Sequence, residues 1–245
     1  MNPVAVSLAD AARRYKQAAQ AVLGAYEARR PATTHQVTPA QLDAGIDQFF
    51  AISTKVDREQ GETGPIASDD VSQLGDYGLT LLTDLMTWAQ QLELREFDRD
   101  FDSVVLSFTD WIVRHEGEIR TLEPIVDALA HYANRTREPE QLEALTRFMT
   151  RIVRSSSKLI KQDLEKGNPG RPWLVLNLNR GIVATRSHNP ELMEEVFEEL
   201  ARFFPDHAAQ FFAEGMQQMD ELNYPPHVRA VMARYFDRFT RRTMH

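Results

Sequence analysis

The chain has 245 residues, 28 Lys and Arg against 36 Asp and Glu, a formal net charge of −8 and no cysteine. Disulfides, cysteine-held zinc, iron–sulfur clusters and thiol nucleophiles are thereby excluded, and an acidic balance with a pI near 5.4 opposes nucleic-acid binding. Hydrophobic residues at 42% and charged residues at 26% are far from the composition of disordered chains, so the whole chain is expected to fold.

Apolar residues recur at helical spacing almost throughout, and strict alternation is nearly absent, which predicts an all-α fold of about nine or ten antiparallel helices. The first runs over residues 8–29, with Ala12, Tyr15, Ala19, Val22 and Tyr26 on one face and Pro31 ending it. The second opens at Thr38-Pro39, a cap followed by proline at the first helical position, and is expected to bury Leu42, Ile46, Phe49, Phe50 and Ile52. Residues 61–70, GETGPIASDD, form the one long Gly/Pro/Ser/Asp stretch. They are expected to be a mobile linker between an N-terminal helical pair, 1–60, and a helical-repeat domain, 71–245, the alternative being one continuous domain. Further helices are expected to end near Leu94 and to span 98–115 and 122–134. Asp98, Asp100 and Asp102 have the spacing that begins a calcium loop, but Ser103 and Thr109 stand where such a loop needs Gly and Glu, so they read as an acidic first helical turn.

The next predicted helix, 138–165, carries the main charge feature. Arg147, Arg151, Arg154, Lys158 and Lys161 follow one another at steps of 4, 3, 4 and 3 and share one face, opposite Leu142, Leu145, Met149, Ile152 and Leu159. Residues 135–186 hold 11 cations against 5 carboxylates, whereas the remainder holds 17 against 31. The plain reading of the stripe is a solvated face, with Glu191, Glu194, Glu195, Glu198 and Glu199 of a later helix offering it an acidic neighbour. The functional reading is a binding face for a protein with an acidic surface, or for a phosphate-bearing or nucleic-acid ligand. Ser155-Ser156-Ser157-Lys158 contains a Ser-x-x-Lys spacing without its partner motifs and is expected to pack or bend the helix. The loop 166–172 is basic and Gly-containing but lacks phosphate-loop spacing, which leaves a turn between helices.

Residues 171–185 fit either a helix or an isolated β-ribbon. A lone two-stranded ribbon is marginally stable, which favours helix. Proline-led starts recur before Leu142, Met193 and Val228, a sign of repeated helical hairpins. Gly181 and Gly215 are 34 residues apart, and a period of about 34 is that of the tetratricopeptide repeat. With Phe197, Leu200 and Pro205, Gly181 gives a segment that resembles a degenerate tetratricopeptide unit, although Asn177, Ala184 and Met193 stand where that family has Trp, Tyr and Ala. The resemblance spans 174–243 at most, and a HEAT-like or unclassified array of helical hairpins is the alternative. It implies an α-α superhelix that binds a peptide or a partner helix; a large helical bundle is the other architecture the pattern allows.

The aromatic pairs Phe203-Phe204 and Phe211-Phe212 bracket a helical corner and are mainly core. Adjacent aromatics cannot both point inward from one amphipathic helix, so Phe204, Phe211 and Tyr224 are candidate aromatic contacts. A second basic cluster, Arg229, Arg234, Arg238, Arg241 and Arg242, ends the last helix and complements its C-terminal dipole. No histidine stands in a Glu-x-x-His or His-Glu-x-x-His pattern, so no metal, cofactor or catalytic residue is expected. No stretch nears the roughly 18 apolar residues of a membrane span, and residues 1–12 lack the layout of a signal peptide. The expectation is a cytoplasmic, non-enzymatic adaptor or scaffold with a protein partner and a tendency to homodimerise. The alternative is a regulatory module that uses the stripe to bind nucleic acid or a phospho-ligand.

Overall fold

A computed structural model describes residues 2–29, 31, 37–61 and 68–240. Among them the fold is all-α, an array of eleven α-helices with no strand. The helices are α1 Leu8–Arg29, α2 Pro39–Gln60, α3 Ser68–Gln91, α4 Asp98–Arg114, α5 Glu123–Arg135, α6 Pro139–Ser155, α7 Lys158–Lys161, α8 Pro172–Arg186, α9 Pro190–Phe203, α10 Pro205–Glu221 and α11 Pro226–Thr240. The ambiguous stretch 172–185 is therefore helical. None of these helices is long and apolar enough to cross a membrane. The chain divides into two compact units, one comprising Met1–Tyr132 with Arg154–Leu164 and the other Ala133–Val153 with Glu165–His245. Of the expected linker, 62–67 lies outside the described residues.

In the first unit α1 packs on α2 and α4, and α3 packs on the other side of both, a four-helix arrangement. α4 is its centre: from Phe101 to Ile112 every residue but Ser103 is buried. The buried run takes in Asp102, Ser107, Thr109 and Asp110 as well as the apolar residues, so polar groups are carried into the core with it. The aromatic rings of Phe49, Phe50, Phe108 and Trp111 meet there, with Phe49 and Phe108 centroids 4.0 Å apart. The buried face of α2 is Leu42, Ile46, Phe49, Phe50 and Ser53, and Ile52 is exposed rather than buried. Two residues past Phe50 the helix has turned about 200°, so the seat goes to Ser53, whose hydroxyl donates to the Phe49 carbonyl at 2.8 Å.

In the second unit every helix (α6, α8, α9, α10 and α11) begins with proline. Proline costs nothing at that position, since its missing N–H would have had no intrahelical partner. α8 packs on α9 and α10 on α11, two hairpins joined by short turns. The side chain of Asn189 caps α9 by accepting from the Leu192 amide at 3.1 Å. The core is Met193, Val196, Phe197, Leu200, Phe212, Met232 and Tyr235, with neighbouring smaller residues.

Candidate functional site

The stripe helix is not continuous. α6 ends at Ser155, and the four-residue α7 restarts at Lys158. The cause is Ile119, whose amide donates to the Ser155 carbonyl at 2.8 Å and whose carbonyl accepts from the Ser157 amide at 2.9 Å. Ser157 thus gives its N–H to Ile119 instead of to the carbonyl four residues back, and its hydroxyl caps α7 by accepting from the Ile160 amide at 3.3 Å. The serines end the helix; they do not bend it. The restart also resets the helical phase, so Leu159, expected on the buried face, is 67% exposed.

The five cations consequently do different work. Arg147 pairs with Glu143 of its own helix at 2.8 Å. Those hydrogen bonds, with a further one from Asn189, hold the Glu143 carboxyl below the usual carboxylate range. Arg151 covers the Phe148 ring at 5.3 Å. Arg154 and Lys158 are exposed. The Lys161 ammonium turns back to the Arg154 carbonyl at 2.7 Å, capping α6, and burial lowers its pKa against the pull of Glu118.

The acidic helix has partners of its own. Glu194 and Glu198 of α9 pair with Arg234 and Arg238 of α11, and Glu199 with the fully buried Arg180 at 2.8 Å. The second basic cluster is therefore a set of cross-helix partners: Arg229 pairs with Asp220 as well, while Arg241 and Arg242 lie outside the described residues. Glu198 sits below its ordinary range. Burial pushes it up, but hydrogen bonds from Arg238 and Tyr235 and the charges of Arg238 and Arg234 outweigh that. The loop 166–172 is a turn closed by Arg171, whose guanidinium donates to the carbonyls of Lys166 and Asn168.

Of the three candidate aromatics, Phe204 is only 3% exposed, its ring tilted against Trp173 at 6.3 Å and lying beneath Arg171, and cannot meet a partner. Phe203 is the exposed member of that pair. Phe211 and Tyr224 are brought together in a cavity of about 480 Å³ within the second unit. α8 contributes Ile182, Thr185 and Arg186, α10 contributes Phe211, Glu214, Gly215, Gln217, Gln218 and Met219, α11 contributes Met232, and the turn before it contributes Leu222 and Tyr224. Two glycines set the helix spacing. A Cβ on Gly181 would lie 2.6 Å from the Phe211 ring, and one on Gly215 2.7 Å from the Met232 sulfur and methyl. Their 34-residue separation thus marks the same use of glycine in the first helix of each hairpin, where two helices approach closely.

The polar groups around this cavity are committed to the protein. Arg186 donates to the carbonyls of Ala133 at 3.1 Å and Thr136 at 2.7 Å, and Thr185 to that of Gly181 at 2.9 Å. Gln217 and Gln218 both donate to Glu221. Burial raises the Tyr224 pKa, with Arg186 pulling the other way. The His188 ring meets Tyr224 edge-on at 5.5 Å, and His227 Nε2 donates to the His188 carbonyl at 3.2 Å. The walls are mostly large and apolar, and no acid, base and nucleophile converge among the lining residues.

The first unit has a smaller cavity, about 220 Å³, lined in part by Asp57, Asp110 and Arg114. Asp57 accepts from Trp111 Nε1 at 3.1 Å, His115 Nε2 at 2.8 Å and Arg114 at 3.4 Å; Asp110 accepts from Arg114 at 3.0 Å and Asn2 at 2.9 Å. These carboxylates are consumed by buried donors, the structural use of such a cluster. No group of three metal-binding side chain types that could hold an ion occurs among the described residues.

The chain matches no protein-family model, no curated protein and no solved structure. Sequence reasoning missed Ile182, Leu222 and Met232 as cavity residues. The nearest signal was the glycine pair, since glycine inside a helix can mark a close approach of two helices.

Proposed function

We propose that the chain is a cytoplasmic, non-enzymatic adaptor that binds a protein segment, with the cavity of the second unit as the seat for an apolar side chain of that partner. The observation that carries the proposal is the cavity itself: about 480 Å³, walled by Ile182, Phe211, Met219, Leu222, Tyr224 and Met232. Its volume and lining are those of sites that take one bulky apolar group. Two of its walls, Ile182 and Leu222, are among the exposed large hydrophobics, which is the surface a partner would cover. The hairpins α8–α9 and α10–α11, each with a glycine at a crossing, support a tetratricopeptide-like pair of units as the scaffold. The stripe supports its alternative less well, because its helix is broken and Arg147 and Lys161 are engaged within the chain.

A nuclease-treated pull-down from native lysate, run with wild type, Ile182→Glu/Leu222→Glu and Arg147→Glu/Arg151→Glu, tests this. The cavity reading expects a partner that is lost with the first variant and kept with the second. The reverse pattern moves the contact to the stripe and to an acidic, phosphate-bearing or nucleic-acid ligand.

A further inference from the structure

The two hairpins of the second unit turn in the same way. α8 passes to α9 through His188 and α10 passes to α11 through Asn223, and both residues hold the left-handed backbone that glycine usually takes, at φ 57° and 51°. The side chains beside these turns meet. The His188 ring stands edge-on to Tyr224 with centroids 5.5 Å apart, and His227 Nε2, in the first turn of α11, donates to the His188 carbonyl at 3.2 Å. Tyr224 is a wall of the cavity, and the half-buried His188 touches that wall without lining the cavity itself.

The groups around His188 give an imidazolium no support. From α11 the facing group is His227, whose charge opposes a second one, and from the α10–α11 turn it is the Tyr224 phenol. On its own side Arg186 of α8 stands two residues away, with its charge acting on the same Tyr224. Glu143 of α6 binds the next residue, Asn189, and is engaged by Arg147. α9 carries Glu191 in its first turn, exposed to solvent, and His207 of α10 faces Phe204. Burial and the charge of His227 together hold His188 below its ordinary 6.5.

We propose that His188 is a pH latch on the cavity: neutral, it braces the Tyr224 wall, and protonated, it leaves that wall for water and loosens the seat. This rests on the cavity being a seat for an apolar group, and it adds the regulation of that seat. An imidazolium regains its hydration only by moving out of a half-buried place. The left-handed turn that carries the ring is costly for a residue other than glycine, so little holds it there once the ring contact is lost. The braced state binds the proton less well than the loosened one. It is therefore fully favoured above pH 6.5 and loses ground as pH falls below that value. A molecule that binds only the braced state is released in the same window.

The test uses indole, a neutral mimic of a bulky apolar side chain, titrated into the full chain labelled with carbon-13 in its methionine methyl groups, at about pH 7.5 and about pH 5.5. The Met219 and Met232 methyl resonances report indole in the cavity, and the imidazole resonances report the His188 midpoint. The expected results are a His188 midpoint below 6.5, saturation at lower indole concentration at the higher pH, and loss of that pH difference in His188→Asn. Asparagine takes the left-handed turn readily and does not titrate; where this variant fails to fold by circular dichroism, His188→Gln takes its place. His227→Gln keeps a donor for the His188 carbonyl without the charge, and should raise the His188 midpoint and carry the release to higher pH with it. A midpoint that moves without the release overturns the proposal. Equal affinity for indole at both pH values overturns the latch and leaves the seat standing, as does a pH difference that survives in His188→Asn. A His188 midpoint at or above 6.5 also overturns it, since the Tyr224 ring would then be holding the imidazolium. Indole that moves neither methyl resonance at either pH removes seat and latch together.

Discussion

The helices of the two units rest on different sequence chemistry. In the first, α1, α2 and α3 run 22, 22 and 24 residues around a buried α4, and polar groups are drawn inward, with Asp57 serving Trp111, Arg114 and His115 at once. In the second, no helix exceeds 17 residues, each begins with proline, glycines sit at two crossings, and a cavity of about 480 Å³ opens beside them. Closing polar groups inside a core fixes one arrangement, because any partner removed leaves others stranded. Close helix approaches at glycine occur in both units, at Gly45, Gly75 and Gly78 in the first, so the larger cavity goes with the shorter helices of the second and not with glycine as such.

The largest expected effect is in the closed unit. Asp57→Ala strips an acceptor from the Trp111 indole, the Arg114 guanidinium and a fully buried His115, and should lower stability by about 3 kcal/mol in urea unfolding. A loss under about 1 kcal/mol would mean that the network is wet and that the contrast between the units fails there. Next comes Gly181→Ala. Its methyl group meets the stiff Phe211 ring and Leu200, and overpacking of about 1–3 kcal/mol outweighs the gain of about 1 kcal/mol in helix propensity, a net loss of about 1 kcal/mol. The matched change Gly215→Ala meets only the flexible end of Met232 and should be near neutral, so the pair measured together tests which crossing is rigid.

Asn189→Ala removes the α9 cap and a hydrogen bond to Glu143, for about 1 kcal/mol, readable as a lower thermal midpoint. Smaller still is Arg238→Ala, which breaks an exposed pair and should cost below about 1 kcal/mol. Since the Glu198 carboxyl is held below its ordinary 4.5, its contribution is present above that pH and fades as pH falls through the lower folded value. Arg238→Ala should therefore flatten part of the acid limb. His188 acts in the same direction for a different reason and in a higher pH window: burial, helped by His227, holds it below 6.5. The unfolded chain then takes the proton more readily, so stability declines as pH drops through 6.5 and levels off below the folded value. Urea midpoints at about pH 7.5 and about pH 5.5 should differ less in His188→Gln than in wild type.

Much of the fold was legible because its signals are local. Residues 8–29 form a helix with those same ends, and Thr38-Pro39 opens α2 as its cap chemistry implies, the Thr38 amide donating to Gln41 at 3.0 Å. What stayed hidden depends on residues far away in sequence. The break at Ser155–Ser157 is made by Ile119, and no property of the serines themselves announces it. The glutamates of α9 had two basic helices to choose from, and Glu194 and Glu198 pair with α11. The cavity needs the helix crossings at Gly181 and Gly215 before Ile182 and Met232 can face a common space, so only Phe211 and Tyr224 were singled out beforehand, for being aromatic.

The burial of α4 has a consequence for how the molecule breathes. An amide in a helix enclosed on every side reaches water only when the surrounding core opens as a whole, so the slowest hydrogen exchange in α4 should report the full unfolding free energy of the first unit. α10, with only Ala208, Phe212 and Met219 buried, should exchange through local fraying many times faster. The ratio of the two rates is an internal gauge: a molecule seated on the cavity should slow α10 and leave α4 unchanged.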